Sequence, residues 1–476
     1  MLYFCLFNVQ KMMKKKLLFL LLVVLTAGMA FGQTYHIRGT VPGMSNSDVY
    51  LLEDFANSQR MVDTARTNDA GTFDFVMKPD MPVGMYRIIT PMGQMFNVIY
   101  NHENIVFEAS GLSANDIIQV KKSVENLIYY RYLHVKTNNE LRINILRPVL
   151  DYYPRNDTFY LVIKHQVEKL QDQVANVTHQ LIENNPGTLA AHFIAMDEPV
   201  KLNLNIPSSR QDMQRKKDYF EHVDFNDTLL LRTHLFTAKL VGYLSLFEKP
   251  DMKKKAMEKA FVAPVDTILK KAEVNEKMYL FCLHYLINGF ENFGFENLLQ
   301  HIAHHQHLAD FPGKSPQKQA LLKQMKLILD LAPGKTAPDF TARTLKGKKI
   351  QLSKVKAEHT LLVFWASWCP HCTAALPKLE KFYDPAHPEK LQIIAVSVDE
   401  SKRPVEKAIK KEGYKWINIA QQKGWNSPIA EEYGVSSTPT FFLLDKDKKI
   451  IAKPNSVGEL EKMLEKLEKL PVEKKD

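Results

Sequence analysis

The chain has 476 residues, 45% of them hydrophobic, and a formal net charge of +10 at pH 7. This length allows two or three globular domains, whose apolar cores need no disulfide framework. The lysines form no basic stripe interleaved with aromatic residues, so the positive charge does not predict nucleic-acid binding.

The first 32 residues differ from the rest of the chain. A basic cluster at Lys11 and residues 14–16 precedes an apolar run from Leu17, and small residues follow near Gly32. This order is typical of a secretory signal peptide, so we expect cleavage near Gly32 and a periplasmic location. The alternative is an uncleaved signal that anchors the protein to the membrane, although the run is short for a bilayer span of roughly 20 apolar residues.

Residues 33–112 are predicted to form an antiparallel β-sandwich. Short β-type runs such as YHIRGTV, GTFDFVM and FNVIY are separated by turn residues, for example those at 68–71. No combination of residues typical of a catalytic site occurs within these runs.

Residues 113–331 are predicted to form an all-α region. The stretch TFYLVIKHQVEKLQDQVANVTHQLI repeats apolar residues at helical spacings, and Asn-Pro-Gly at 185–187 interrupts one helix before the next. Cys282 lies in the apolar stretch MYLFCLHYLINGF. We expect it to be a small buried apolar residue rather than a redox group.

Residues 332–476 alternate between strand and helix patterns. HTLLVFW and LQIIAVSVD are predicted strands, and CPHCTAALPKLEKFY and SKRPVEKAIKKEG are predicted helices. TPTFFLLD and KKIIAKP form a predicted hairpin, and GELEKMLEKLEKL, which ends at Leu470, a closing amphipathic helix. The predicted fold is therefore multidomain, with a β-sandwich, an all-α region and a C-terminal α/β sheet covered on both faces.

Two cysteines, Cys369 and Cys372, are separated only by Pro370 and His371. If a strand ends at Trp365 and a helix begins near Cys369, the unpaired N–H groups of that helix favour a thiolate by about 0.3–1 kcal/mol. Pro370 suits the first helical turn, and His371 can add positive charge or a hydrogen bond. We therefore expect the pKa of Cys369 to be lowered.

The C-x-x-C spacing predicts a redox-active pair. Cys369 would attack a substrate disulfide, and Cys372 would attack the resulting mixed disulfide and release the product; the reverse sequence would oxidise a dithiol. Half of a zinc site is the alternative, but the C-terminal region has no other cysteine to complete it. We expect no metal and no organic cofactor beyond the Cys369–Cys372 disulfide.

The C-terminal region resembles the thioredoxin superfamily and, within it, the exported TlpA-like thiol–disulfide oxidoreductases. The matching stretches are APDF at 337–340, LLVFWASWCPHC at 361–372, Pro377, IIAVSVDE at 393–400 and YGVSSTPTFFLLD at 433–445. This resemblance implies a thioredoxin-like fold in which Pro439 is cis and faces the cysteines. It also implies that Thr438 offers backbone groups to an extended substrate.

The same resemblance guides what we expect around the pair. Trp368 is expected at the substrate-binding surface, and Trp365, Pro370 and Pro377 are expected to be structural residues near the site. The implied partners are protein thiols and disulfides in the periplasm and an electron donor, either membrane-bound or soluble. The C-P-H-C sequence resembles that of oxidising periplasmic enzymes, but the surrounding sequence favours a reductase or isomerase.

Two positions depart from the family pattern. Thioredoxins usually carry a buried Asp where this chain has Val363, and TlpA-like reductases often carry an acid where it has Ala375. Either acid would help to move the proton of the second thiol. We therefore expect exchange through Cys372 to be slower near neutral pH than in relatives that have such an acid.

Two other functions use a related sequence pattern. A peroxiredoxin needs a threonine and a proline where this chain has Ala366 and Leu362. A copper carrier would combine the cysteine pair with distant imidazoles, which the stretch HIAHHQHL supplies at His301, His304, His305 and His307. Copper-carrier members separate their cysteines by three residues rather than two, which disfavours this reading.

The N-terminal region has a looser resemblance of its own. The stretch DTARTNDAGTFDF at 63–75 resembles an uncharacterised β-domain that precedes helical and thioredoxin-like domains in exported Gram-negative proteins. That resemblance implies no known activity.

Overall fold

The computed structural model describes residues 34–55, 58–109, 118–380 and 382–468. The predicted signal peptide and Leu470 lie outside these residues. Contacts divide the chain between Leu246 and Phe247 into two compact units. Because this division falls inside residues 113–331, the predicted helical region contributes helices to both units.

The described residues of the first unit include eight strands in two four-stranded sheets, ordered β4-β1-β7-β8 and β3-β2-β5-β6. Neighbouring strands are antiparallel except β1 and β7, which are parallel. Apolar residues of both sheets, among them Phe75 and Tyr86, form one core, as expected for the predicted sandwich. The strands are β1 (Tyr35–Thr40), β2 (Asp48–Phe55), β3 (Ser58–Arg66), β4 (Thr72–Met77), β5 (Gly84–Ile89), β6 (Met95–Tyr100), β7 (Ile105–Ala109) and β8 (Ile118–Lys122).

Two of these strands, β3 and β8, were not expected from the sequence. The residues of β3 are mostly exposed, so the strand lacks the apolar alternation that predicts a half-buried strand. It forms because its backbone pairs with β2. β8 lies beyond residue 112, so the sheet extends into the region predicted to be helical.

Five helices follow in the first unit: α1 (Val124–Tyr152), α2 (Thr158–Asn184), α3 (Leu189–Asp197), α4 (Ser208–Asp218) and α5 (Leu235–Ser245). The Ser123 side chain caps α1 by accepting a hydrogen bond from the backbone of Asn126. The buried amide of Asn126 in turn exchanges two 2.8 Å hydrogen bonds with the backbone of Ile99. This helix is therefore fixed to β6 by polar as well as apolar contacts.

Two buried carboxylates at the end of β2, Glu53 and Asp54, pair with basic side chains. Asp54 is 1% exposed, and its Oδ2 lies 2.8 Å from Nδ1 of His234 and 3.5 Å from Nη2 of Arg87. The neighbouring Glu53 pairs with Arg60 at 2.6 Å and with Arg232 at 3.0 Å. These pairs join the sandwich to the segment that precedes α5.

The second unit starts with four helices: α6 (Lys254–Ala272), α7 (Glu276–Phe293), α8 (Glu296–His305) and α9 (Pro316–Asp330). They precede a short hairpin of β9 (Thr341–Arg343) and β10 (Lys349–Gln351). The five-stranded sheet that follows has the order β13-β12-β11-β14-β15. Its members are β11 (His359–Trp365), β12 (Leu391–Ser397), β13 (Ile417–Ala420), β14 (Thr440–Leu444) and β15 (Ile450–Ala452).

Four helices accompany this sheet: α10 (Pro370–Leu379), α11 (Lys402–Glu412), α12 (Pro428–Glu432) and α13 (Val457–Glu468). The central strand β11 has a hydrogen-bonded neighbour on each side, because it is parallel to β12 and antiparallel to β14. The strand–helix order confirms the predicted α/β fold class, while β9, β10 and β13 were not expected. These three strands have only three or four residues each, too few for a periodic pattern.

In the described part of the chain, none of the helices has the length and apolar character needed to span a bilayer.

Candidate active site

Strand β11 and helix α10 position Cys369. All residues of β11 after His359 are buried, and the Trp365 carbonyl at its end accepts a 2.9 Å hydrogen bond from Val398. Four residues later Cys369 occupies the N-cap of α10, with Pro370 at the first helical position. The backbone N–H of Cys372 donates to the Cys369 Sγ at 3.3 Å. The first sulfur is therefore aimed at the unpaired N–H groups of the helix.

The surroundings of Cys369 favour its ionised form. Burial opposes ionisation, but hydrogen bonds from the side chains of Cys372 and Thr438 and from the backbone of Cys372 and His371 outweigh it. The pKa of Cys369 is therefore lowered from its ordinary value. In the thiol form, its Sγ donates to the Thr438 carbonyl at 3.3 Å.

The second cysteine has the opposite character. Cys372 is fully buried one helical turn into α10. Burial and the hydrogen bond with Cys369 raise the pKa of Cys372 to about 12, against a smaller lowering by the backbone of Ala366. Cys369 is therefore the more readily ionised thiol of the pair, and Cys372 is a thiol that must lose its proton before it can react.

The loop before β14 completes this side of the site. The Thr438–Pro439 peptide bond is cis. Phe364 of β11 pairs with Thr440 of β14, which brings the loop beside the end of β11 where Cys369 follows. The Thr438 carbonyl that accepts the hydrogen bond from the Cys369 thiol therefore comes from a loop 69 positions away in sequence.

The two tryptophans that the sequence placed near the site have different environments. Trp365 is 1% exposed and packs edge-on against Tyr414, whereas Trp368 is 59% exposed. The ring of Trp368 meets that of Trp425, itself 41% exposed, at 6.3 Å. Sequence reasoning did not identify Trp425, because 57 residues separate it from its partner. Together the rings form an exposed aromatic surface beside Cys369.

His371 and Pro377 both belong to helix α10. Both are exposed on α10. His371 acts on Cys369 through its backbone N–H. Pro377 lies in the second half of the helix, two turns after Cys369.

A buried carboxylate anchors the loop that carries Cys369. Asp399 is 3% exposed, and its two oxygens accept hydrogen bonds from the backbone and hydroxyl of Ser367 at 3.0 and 2.5 Å. The hydroxyl of Ser397 donates to the same carboxylate at 2.7 Å. Sequence reasoning noted the stretch IIAVSVDE but gave this Asp no role. An acid directly after a buried strand, at the edge where the cysteines lie, was the available signal.

The phenol of Tyr414 interacts electrostatically with Cys372. Val363 is fully buried in β11 and Ala375 is half-buried on α10, so neither position provides an acid. The pKa of Tyr414 is raised by burial and by the charges of Glu412, Glu380 and Cys372. Tyr414 is therefore close enough to Cys372 for the two groups to interact electrostatically.

The histidines proposed for a copper site do not join the cysteines. His301 lies 2.7 Å from Asp266 and its ring stacks on that of His305 at 4.3 Å. Within the residues that the structure describes, no three His, Cys, Asp or Glu side chains form a metal-binding group. Cys282 is fully buried in α7, and burial raises its pKa.

Two known family profiles match different regions of the chain, one near each end. The sequence profile of the AhpC/TSA family matches residues 333–453. The profile of a domain of unknown function, DUF4369, matches residues 35–129. The second match confirms the resemblance of the N-terminal region to an uncharacterised domain.

Several relatives are thiol–disulfide oxidoreductases. The chain is 37% identical over 138 residues to the thiol-disulfide oxidoreductase ResA of Bacillus thuringiensis subsp. konkukian, covering 29% of this chain and 78% of the relative. It is 31% identical over 121 residues to ResA of Bacillus subtilis, covering 25% of this chain and 66% of the relative.

Among solved structures, the thioredoxin domain of a thiol-disulfide oxidoreductase from Bacteroides vulgatus is 31% identical, with 29% of this chain and 98% of that chain covered and a TM-score of 0.27. A thioredoxin-like protein from Bacteroides caccae is 19% identical, with 56% and 96% covered and a TM-score of 0.40. The extent of the ResA match, together with the cysteine pair at the start of α10, identifies this chain as a member of the TlpA-like thiol–disulfide oxidoreductases of the thioredoxin superfamily.

Proposed function

We propose that this enzyme is exported and exchanges disulfides with protein clients through Cys369 and Cys372, as a reductase or isomerase. The observation that carries the proposal is the contrast between the two thiols. The pKa of Cys369 is lowered at a helix N-cap, while that of the buried Cys372 is raised to about 12. Such a pair provides one attacking group and one resolving group.

The first step uses the Cys369 thiolate. It attacks one sulfur of a client disulfide, the client S–S bond breaks, and the second client sulfur leaves as a thiolate that takes up a proton. The N–H of Cys372 and the Thr438 loop border the Sγ of Cys369. The exposed ring of Trp368 offers the client an apolar contact beside the reacting sulfur.

The second step releases the client. Cys372 loses its proton and attacks the sulfur of Cys369, the mixed disulfide breaks, and the client leaves as a dithiol. Two electrons have then passed from the cysteine pair to the client. Because the pKa of Cys372 is raised, we expect its deprotonation to limit this step near neutral pH.

A dithiol electron donor must return two electrons to the Cys369–Cys372 disulfide before the next cycle. The proposed setting is the periplasm, supported by the basic and apolar pattern of residues 11–32, with protein thiols and disulfides as partners. Neither step requires a metal or an organic cofactor. Isomerisation would use the first step alone, with a client thiol resolving the mixed disulfide.

Trapping the intermediate tests this proposal. The Cys372→Ala variant, incubated with oxidised insulin at neutral pH, is expected to accumulate a mixed disulfide on Cys369, which mass spectrometry of proteolytic fragments locates. Cys369→Ala is the matched control and should trap nothing. If Cys372→Ala forms no mixed disulfide, or forms it at another residue, the proposed exchange is wrong.

Alkylation provides a second measurement on the reduced wild-type protein. The rate of iodoacetamide reaction at Cys369 should rise with pH and level off below the pKa of a free cysteine, about 8.5. Cys372 should stay unmodified throughout that range, because its ionised form appears only near pH 12. A Cys369 profile like that of free cysteine would contradict the proposed role.

A further inference from the structure

A cleft of about 470 Å³ lies in the second unit, between helices α7 and α9 and the loop that carries Pro439. The loop and the start of β14 line one part of the cleft, and α9 lines another. Representative lining residues are Ser436, Ser437 and Pro439 on the loop and Ala320, Lys323 and Gln324 on α9.

The cleft borders the loop that contacts Cys369. Ser437 and Pro439 line it and directly flank Thr438, whose carbonyl lies 3.3 Å from the Cys369 Sγ. Because Phe364 pairs with Thr440, the start of β14 lies at the edge where β11 ends. An extended chain advances about 3.3 Å per residue. A polypeptide following the loop past Thr438 therefore reaches the cleft within a few residues.

Two contacts link elements that line the cleft. Lys453 Nζ, just after β15, lies 2.8 Å from Glu296 Oε2 at the start of α8. A Cβ atom at Gly434 would lie only 3.3 Å from Cδ1 of Leu327 on α9, so the two segments approach closely. Such fixed walls lower the ordering cost of binding a flexible chain.

The chemistry of the lining suits a polypeptide rather than a small ion. Its charged side chains balance, with two acids and two lysines: Glu291, Glu296, Lys323 and Lys453. Gln324 donates to Glu291 at 3.0 Å, and further amide side chains come from Asn292 and Asn455. Amides and hydroxyls both donate and accept hydrogen bonds, which matches the peptide groups of an extended chain.

We propose that this cleft binds the stretch of client polypeptide next to the disulfide under attack. Helices α7 and α9 thereby make the enzyme selective for protein disulfides over small ones. The inference deepens the proposed function and rests on it. It also assigns a role to helices that lie outside the thioredoxin-like region.

A steric block on α9 tests the inference. Ala320 is exposed and lines the cleft, whereas Gln319 is exposed on the same helix and does not line it. We compare Ala320→Trp with the control Gln319→Trp in the reduction of insulin and of oxidised glutathione, which is too small to fill the cleft. Ala320→Trp should lower the ratio of insulin to glutathione rates about tenfold, as expected for loss of a well-packed contact. Gln319→Trp should leave the ratio unchanged.

The outcomes separate this inference from the proposed function. An unchanged ratio in Ala320→Trp, or an equal fall in Gln319→Trp, would overturn the proposed binding of client polypeptide in the cleft. Either result would leave the proposed exchange activity intact. If the wild-type protein reduces neither substrate, the proposed function is wrong, and so is the proposed role of the cleft.

A second measurement needs no substitution on α9. In the insulin mixed disulfide of Cys372→Ala, amide hydrogen exchange at 320–324 and 436–440 should slow relative to the free variant. Unchanged exchange in both segments would also overturn the inference.

Discussion

The two units of the molecule bury ionisable groups in opposite surroundings. In the first unit, Asp54 faces the cationic side chain of Arg87 and the imidazole of His234. In the second unit, the Sγ of Cys369 meets neutral partners, namely a backbone N–H and the carbonyl of Thr438. Both groups are at least nine-tenths buried, so burial alone does not distinguish them.

The two kinds of partner differ in whether they leave the buried anion free to react. A carboxylate paired with a cation is held tightly, and removing one member of such a pair leaves an uncompensated buried charge. Neutral N–H donors stabilise a thiolate without forming an ion pair, so its lone pair can still attack. The first arrangement supports structure, and the second supports chemistry.

Replacing the nucleophile should have the largest effect. Cys369→Ser should reduce insulin reduction to the rate without enzyme, because a serine hydroxyl stays protonated at neutral pH and forms no disulfide. Cys282→Ala is the control, since that thiol is buried in α7 away from the pair and its loss should leave the rate unchanged. Retained activity in Cys369→Ser would place the chemistry elsewhere.

Replacing Asp54 tests whether its ion pairs stabilise the first unit. Asp54→Ala should lower the free energy of unfolding by about 3–5 kcal/mol, because it leaves Arg87 and His234 without their buried partner. Urea unfolding followed by circular dichroism measures the loss. All four tryptophans lie in the second unit, so a loss seen by circular dichroism but not by tryptophan fluorescence belongs to the first. A change below about 1 kcal/mol, the range of a surface pair, would show that the group contributes little.

Asp399 tests whether a buried carboxylate with neutral partners positions the reactive loop. Asp399→Ala removes the acceptor of three hydrogen bonds from Ser367 and Ser397, so Cys369 should lose its alignment with the helix end. We expect exchange to slow about tenfold or more, as displaced reacting groups do.

The pH dependence of Cys369 alkylation distinguishes positioning by Asp399 from a general loss of stability. In Asp399→Ala the pKa of Cys369 should rise towards that of free cysteine, and Asp399→Asn, which keeps one acceptor oxygen, should partly restore it. An alkylation profile unchanged in Asp399→Ala would argue against positioning.

The smallest expected effect concerns proton transfer from Cys372. Because its pKa is raised to about 12, release of a client from the mixed disulfide should accelerate as pH increases from 6 to 9. Ala375→Glu places an acid one turn after Cys372 and should speed release near neutral pH by about tenfold, with a flatter pH dependence. Ala374→Glu is the matched control on the exposed side of α10. A profile unchanged in Ala375→Glu would show that the missing acid does not limit resolution.

Local patterns in the sequence predicted much of the site. The apolar run ending at Trp365, followed by Pro370, placed a cysteine at a helix start, and the two-residue spacing predicted a reactive pair. These features depend on neighbouring residues, whose backbone geometry is set within one or two turns. The closing helix was predicted on the same basis, and Leu460 is fully buried in the structure. Short or exposed strands such as β3 and β13 lack such a pattern and form because their backbones pair with β2 and β12.

The sequence by itself determined the class of chemistry, because the cysteine spacing and its helix end are local properties of the chain. Tertiary structure decided which groups surround the sulfur: the Thr438 carbonyl, the Asp399 anchor beneath the loop, and Trp425 against Trp368. It also divided the helices between the two units and placed α9 along the cleft. These contacts join residues tens of positions apart, so they exist only once strand register and packing bring those residues together.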